Sequence, residues 1–263
     1  MKITSVKLTK KILECLSAND RTLLLLLGNV SNEINVLQKL IMMVRKGNPR
    51  SRIVDIVEAG QALIFMRMLV GKLHEARVLV DKRVNGDERF GRTADWAGKD
   101  QLKRVNKHFN EWGSLLGEVR DKLSFHSWDK DGLIEGSFAA LSEDEPWDFY
   151  LSDIVANSFY YASEMVVTRS MIGLTAAGKA ASTNKEAEAA GLAEVFDAAL
   201  DAASLLSSLF QILMVEIIDK SIDEQLDTED VDIGRSARMS EFHLPYFFDE
   251  EDLLRLRSIE RAN

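Results

Sequence analysis

Apolar residues recur every three or four positions along most of the chain, a spacing that places them on one face of an α-helix. The pattern is regular in a first long segment, where these residues are Leu23, Leu27, Val30, Ile34, Leu37, Ile41 and Val44. We expect Asn19 or Asp20 to cap this helix at its start and Gly47-Asn48-Pro49 to end it. A second helix is predicted from Ser51 to the turn signal Asn85-Gly86-Asp87.

The same spacing predicts a third helix over about Lys99–His126 and a fourth over about Pro146–Gly173. Pro146 suits the first position of a helix, because the N–H that proline lacks has no partner there. Alternatively, the stretch Ser142-Glu143-Asp144-Glu145 has the spacing of a capping box. A linker rich in Ala, Gly, Ser and Lys, Thr175–Asn184, follows the fourth helix.

A fifth helix is predicted over about Lys185–Ile222, and no alternating strand pattern of useful length is found. The tail is acidic up to Asp232 and then irregular, with a short helix expected from Asp249 to Arg261. We therefore predict an all-α fold, a bundle of about five long helices that pack at shallow angles. Residues 1–175 are expected to form the bundle, the fifth helix to pack on it, and residues 223–263 to form the tail.

Composition and charge narrow the class of protein. Apolar residues make up 46% and charged residues 29% of the chain, which is typical of a folded globular protein. Cys15 is the only cysteine in the sequence, which excludes an intrachain disulfide and a cysteine-based zinc site. The longest uncharged run, Ala202–Val215, has 14 residues, below the roughly 18 that a membrane span needs. We therefore expect a cytoplasmic protein without a membrane segment.

Charge is distributed unevenly between the two parts of the chain. Residues 1–107 carry 21 Lys and Arg against 11 Asp and Glu, whereas residues 108–263 carry 12 against 31. Such asymmetry indicates either a polyanion-binding face or two halves that pack together so that their fields largely cancel.

One short motif near the end of the predicted third helix combines an arginine, a carboxylate and a histidine. The chain from Arg120 to His126 reads Arg-Asp-Lys-Leu-Ser-Phe-His. This segment resembles the HEPN superfamily, helical-bundle proteins whose nucleases carry an arginine, usually a polar residue next, and a histidine a few residues later. It is also similar to a group of bacterial HEPN-like proteins with Arg-Asn/Asp-x-x-Ser-Phe-His at this place. As an all-helical arrangement, the resemblance covers about residues 20–175.

The resemblance implies a metal-independent endoribonuclease without a cofactor, with toxin or phage-defence effector as the role suggested by family analogy. His126 would move protons while the 2′-hydroxyl of RNA attacks the phosphate. Arg120 would hold phosphate oxygens and stabilise the developing charge, and Asp121 would orient either side chain. Lys103, Arg104 and Lys107, beside His108, are expected to bind RNA phosphates or to form a solvated basic helix face.

The spacing of the motif poses a geometric requirement. In one regular α-helix, Arg120 and His126 would lie roughly 120° apart around the axis and ~9 Å apart along it, so they would not meet. Either the helix ends or distorts before His126, or two copies face each other and pool their side chains. HEPN nucleases generally use the second arrangement, so the resemblance implies a homodimer with its site on the two-fold axis.

The same motif also fits a protein without catalytic activity. His126 lies seven positions after Val119, so it continues the apolar stripe and would pack near Trp128, while Arg120 would be an ordinary surface residue. The alternative function is an inactive HEPN-like adaptor or regulatory protein with a cognate protein partner. The acidic second half of the chain supports this alternative, because it would repel RNA outside a local basic groove.

Other candidate residues fit structural roles. His74-Glu75 lacks the second histidine of a zinc-protease motif. If the second and third helices pack together, these two residues would line the same groove as the motif from Arg120 to His126. No metal site is predicted, because the acidic cluster around Asp230 has no glycine-turned calcium loop; its members are Asp227, Glu229, Asp230 and Asp232. Aromatic residues are interpreted as core or interface residues rather than base-stacking platforms; these are Trp112, Trp128, Trp147, Tyr160 and Tyr161.

Overall fold

Five long helices dominate the computed structural model of the chain, which confirms the predicted all-α fold. The structure describes residues 2–44, 51–91, 93–124, 132–139, 148–180, 185–221, 228–232, 234, 242–247 and 249. The long helices are α2 (Ala18–Val44), α3 (Arg52–Arg83), α4 (Lys99–Val119), α6 (Tyr161–Gly173) and α8 (Lys185–Ser221). The shorter elements are β1 (Lys2–Val6), α1 (Lys10–Cys15), α5 (Leu133–Ala139), α7 (Ala176–Ala180) and β2 (Thr228–Asp232).

Serine side chains cap the starts of α2 and α3. The Ser17 hydroxyl accepts a hydrogen bond from the Asp20 N–H at 3.1 Å and donates one to Asp20 Oδ2 at 2.9 Å. Ser17 is therefore the N-cap of α2, and the prediction that Asn19 or Asp20 caps it was wrong. Ser51 caps α3, where its hydroxyl accepts from the Val54 N–H at 3.3 Å.

The predicted apolar stripes form one core shared by α2, α3, α4 and α8. All seven predicted stripe residues of α2 are buried, and Leu27 and Ile34 are completely inaccessible to solvent. α8 packs against α2 and α4 through a surface that includes small buried residues, namely Ala198, Ala199, Ala202 and Ala203. Because these side chains are short, the helix axes can approach closely.

α8 is also long and apolar enough to cross a membrane by length and composition alone. Its candidate span, Glu186–Lys220, has a mean hydropathy of 1.7 in its most apolar window, of which 44% is buried inside the protein. The core helix of a globular protein passes the same test, because its apolar residues pack against other helices instead of lipid.

Polar contacts fix α4 between α3 and α8. Asn106, buried in α4, accepts a hydrogen bond from Arg77 Nη1 of α3 at 2.7 Å and exchanges hydrogen bonds with the Asn85 amide. On another side of α4, His108 Nε2 lies 2.9 Å from the Ala198 carbonyl oxygen of α8. His108 therefore contributes to helix packing, since its ring nitrogen contacts the backbone of α8.

The fourth predicted helix begins later than expected. The segment before α6 contains an isolated antiparallel bridge between Tyr150 and Phe159 and a 3₁₀ turn at Val155–Asn157. The Phe159 ring packs against Gly60 of α3, where a Cβ would overlap the ring. The prediction of helix from Pro146 was therefore wrong for residues 148–160, which form a loop closed by the Tyr150–Phe159 bridge and packed against α3; Pro146 itself lies outside the described residues.

Two short strands, β1 and β2, pair in antiparallel register, with Ile3 opposite Val231. The pair is reinforced by a hydrogen bond from the Thr4 hydroxyl to Asp230 Oδ1 at 2.9 Å. The sequence therefore did not predict the strand β2, all five of whose residues are exposed. Five-residue strands with a single internal apolar position show too little alternation to be detected in the sequence.

Candidate active site at the end of α4

A π-helical turn, Arg120–Ser124, replaces the last part of the predicted third helix. The Ser124 hydroxyl donates a hydrogen bond to the Val119 carbonyl oxygen at 3.2 Å, which occupies an acceptor that the α-helix leaves at its end. The helix thus distorts before His126, one of the two arrangements that the spacing of the motif required. Single π-turns occur frequently at functional sites, because they alter the direction of side chains relative to a regular helix.

Arg120 and Asp121 form an ion pair on this turn. Arg120 Nη1 lies 2.5 Å from Asp121 Oδ1, and the two side chains are 31% and 57% exposed. Ion pairs on a regular helix usually join residues three or four positions apart. A search of the sequence for such pairs therefore does not detect a pair between adjacent residues. The pair engages one nitrogen of a guanidinium that carries five N–H donors, and the carboxylate restricts the direction in which this group points.

The structure brings together two of the three predicted catalytic residues. Arg120 and Asp121 are in direct contact, whereas His126 lies outside the described residues, as does Trp128. The turn that carries the pair packs against α3 and α6.

A buried ion pair connects those two helices. Arg67 of α3 binds Glu164 of α6 through both guanidinium Nη atoms, at 2.5 and 3.0 Å. Both side chains are nearly buried, with 12% and 11% exposed. Sequence reasoning missed this pair, because the partners are separated by 97 positions and no local pattern connects them. The pair holds α6 against α3 and so supports the surface on which the π-helical turn rests.

The predicted RNA-binding residues lie on a different part of α4. Lys103, Arg104 and Lys107 are exposed, and Lys103 pairs with Asp100 at 3.2 Å. Lys107 precedes Arg120 by 13 residues, so the two lie about 20 Å apart along the helix and on different faces. The structure therefore does not place these basic residues beside Arg120.

His74 and Glu75 lie on α3, one of the two helices against which the π-helical turn packs. Three residues after His74, Arg77 packs over the ring of Phe109 at 5.3 Å, in the middle of α4 and well before Arg120. Glu75 forms an ion pair with Lys72 at 3.0 Å. In the part of the chain that the structure describes, no group of three or more metal-binding side chains is found.

Aromatic residues divide between the core and the surface. Trp112 packs against the core, and Tyr161 is half-buried. Tyr160, however, is 53% exposed and contacts the equally exposed Phe149 edge to face, with ring centroids 5.4 Å apart. Tyr160 is therefore not a core residue, and of the two roles predicted for it only the interface role remains; Trp147 lies outside the described residues.

Comparison with known proteins adds no relative to these observations. No family model matches the chain, and no curated protein or solved structure matches it either.

Proposed function

We propose that the chain is a metal-independent endoribonuclease of the HEPN kind. The observation that carries this proposal is the π-helical turn in an all-α bundle, which presents the partly exposed Arg120 guanidinium, oriented by Asp121, six residues before His126. A guanidinium fork is suited to bind two phosphate oxygens, and an imidazole is suited to transfer protons near neutral pH.

The proposed reaction is an internal transfer of the phosphoryl group. The 2′-oxygen of RNA attacks the adjacent phosphorus while an imidazole of His126 accepts the 2′-hydroxyl proton. Arg120 stabilises the negative charge that develops on the phosphate oxygens, and the 5′-oxygen leaves with a proton from a second imidazole. The products are a 2′,3′-cyclic phosphate and a 5′-hydroxyl. Two imidazoles are available if two copies form a homodimer around the site.

The direct test is cleavage of a labelled single-stranded RNA in the presence of EDTA. We expect Arg120→Gln and His126→Ala each to lower the rate by about 100-fold or more, with helicity unchanged by circular dichroism. Lys122→Gln is the matched control, because it removes a positive charge from the same turn and should retain most of the activity. Equal cleavage by the wild type and by both site variants would refute the proposal, and sedimentation should show a dimer.

One observation favours a second candidate function, a non-enzymatic adaptor. The carboxylate of Asp121 lies 2.5 Å from Arg120 Nη1 and so offsets its positive charge, which weakens attraction for phosphate. An adaptor would leave RNA intact and bind a cognate protein specifically. RNA cleavage that depends on His126 would exclude this candidate.

A further inference from the structure

We propose that a cavity between α3, α6 and α8 binds an uncharged, mainly apolar small molecule. The cavity has a volume of about 460 Å³, which lies within the roughly 300–1,000 Å³ typical of small-molecule sites. Among the residues that the structure describes, its lining includes none from the π-helical turn that carries Arg120. The inference therefore does not depend on the proposed function.

The walls of the cavity are largely apolar. Each of the three helices contributes aliphatic or thioether side chains; these are Ile56, Leu63, Met165, Ile172 and Leu192. Most of them are only half-buried, in contrast to the fully buried residues of the core. A ligand with an apolar body would remove this exposed surface from water, which is the main source of affinity in such sites.

The charged groups around the cavity are already paired. Arg169 Nη1 of α6 lies 2.5 Å from Glu188 Oε1 of α8, and Glu164 is held by Arg67. An anionic ligand would have to displace a carboxylate from a guanidinium, and a cationic ligand would have to displace the guanidinium. Either exchange leaves a partly buried charge without its partner, which is strongly unfavourable. An uncharged ligand leaves both pairs intact.

Thr168 supplies a polar contact for such a ligand. It lines the cavity, and its hydroxyl is buried without a hydrogen-bond partner among the residues that the structure describes. A 120° rotation about the Cα–Cβ bond moves the hydroxyl to another staggered position, and in this proposal the bound ligand selects the position that faces the cavity. A carbonyl or hydroxyl group on the ligand would then satisfy it.

The test compares two fluorescent naphthalene probes on the full chain. Prodan is uncharged and carries a carbonyl group, whereas anilinonaphthalene sulfonate has a similar aromatic body and a negative charge. We expect one saturable Prodan site per chain, with blue-shifted emission. The anionic probe should bind at least about tenfold more weakly than Prodan. Absence of saturable Prodan binding, or equal affinity for both probes, would overturn the proposal.

Two neighbouring alanines of α8 locate the probe. Ala189 lines the cavity at its exposed rim, whereas Ala190 is exposed and does not line it. Ala189→Trp should weaken Prodan binding about tenfold or more because it fills the entrance, and Ala190→Trp should leave it unchanged. Thr168→Val should weaken binding several-fold. Equal effects of the two tryptophan variants would place the probe elsewhere and refute the assignment. As a separate control, Arg120→Gln should not change the affinity for Prodan.

Discussion

Arg89 and Asp20 connect the loop after α3 with the first turn of α2. Arg89 Nη2 lies 2.7 Å from Asp20 Oδ1 and 2.9 Å from Asp87 Oδ2, so one guanidinium binds two carboxylates. The hydrogen bond from Arg89 is the main cause that lowers the pKa of Asp20, against desolvation of this buried carboxyl, which raises it. The same guanidinium lowers the pKa of Asp87.

Acid should weaken the fold through this cluster. Because the folded-state pKa of Asp20 is depressed, its ionised form contributes stability above the ordinary carboxyl pKa, and this contribution is lost as pH falls through the folded value. We expect Asp20→Asn to lower the free energy of unfolding by about 1–2 kcal/mol at pH 7, a modest figure because Arg89 is 42% exposed. Urea unfolding should show that the difference from wild type narrows below about pH 4.

The control for acid dependence is an exposed carboxylate. Glu14 pairs with Lys10 on α1 at 3.7 Å, and both side chains are well exposed. Glu14→Gln should change the free energy of unfolding by less than about 0.5 kcal/mol at either pH. An Asp20→Asn difference that stays constant between pH 7 and pH 3 would contradict the role assigned to the Asp20 ion pair.

Removing one partner of the Arg67–Glu164 pair should be costly. Both side chains are nearly buried, so Glu164→Ala leaves a guanidinium without its carboxylate and should lower the free energy of unfolding by about 3–5 kcal/mol. The double variant Arg67→Met/Glu164→Leu removes both charges and should lie within roughly 1 kcal/mol of wild type. Urea unfolding of the single and double variants measures the difference. A double variant no more stable than Glu164→Ala would show that the cost comes from lost packing instead.

Gly60 should not tolerate a side chain. A Cβ at this position would overlap the Phe159 ring, which is 4% exposed and therefore has little room to move. We expect Gly60→Ala to lower the free energy of unfolding by about 1–3 kcal/mol. Gly117→Ala in α4 is the matched control, because no atom lies within 4 Å of its added Cβ, and it should stabilise the helix by about 0.5–1 kcal/mol. Thermal unfolding should show a lower stability for Gly60→Ala and a higher stability for Gly117→Ala. These opposite changes would confirm the packing of Phe159 against Gly60.

The long helices could be predicted because their apolar spacing directly reflects which face is buried. Leu27 and Ile34 lie on the predicted stripe of α2 and are completely inaccessible to solvent. Features that depend on distant parts of the chain could not be predicted. The pairing of β1 with β2 joins Thr4 to Asp230, 226 positions apart, and the late start of α6 follows from the contact between Phe159 and Gly60.

The candidate site likewise has features that the local sequence predicts and features that depend on distant parts of the chain. Arg120 and Asp121 are adjacent, so the sequence alone placed them together. The spacing to His126 predicted either a helix that ends or distorts or a pair of facing copies, and the π-helical turn is such a distortion. The surroundings of the turn could not be predicted, because the Arg67–Glu164 pair that supports it forms between helices distant in sequence. The positive charge of the residues near Lys103 did not indicate their position relative to Arg120, because they lie far from it along α4.

Asp121 should limit the affinity for RNA while it orients Arg120. Its carboxylate is 57% exposed and lies 2.5 Å from the guanidinium that the proposed function assigns to phosphate. Asp121→Asn removes a negative charge but retains a polar group, so we expect RNA to bind about two- to fivefold more tightly at low salt. Fluorescence anisotropy with a 2′-O-methyl RNA, which has no free 2′-hydroxyl for the cleavage reaction, measures the dissociation constant.

The matched control for Asp121 is Glu118, which lies one turn earlier and pairs with Lys122 at 3.4 Å. Glu118→Gln makes the same change in net charge but leaves the Arg120 pair intact, so it should alter RNA affinity less. If both variants tighten binding equally, the effect belongs to net charge and not to the ion pair. In the cleavage assay, Asp121→Ala should be slower than Asp121→Asn, because alanine cannot hold the guanidinium in place and the phosphate would then meet a mobile side chain.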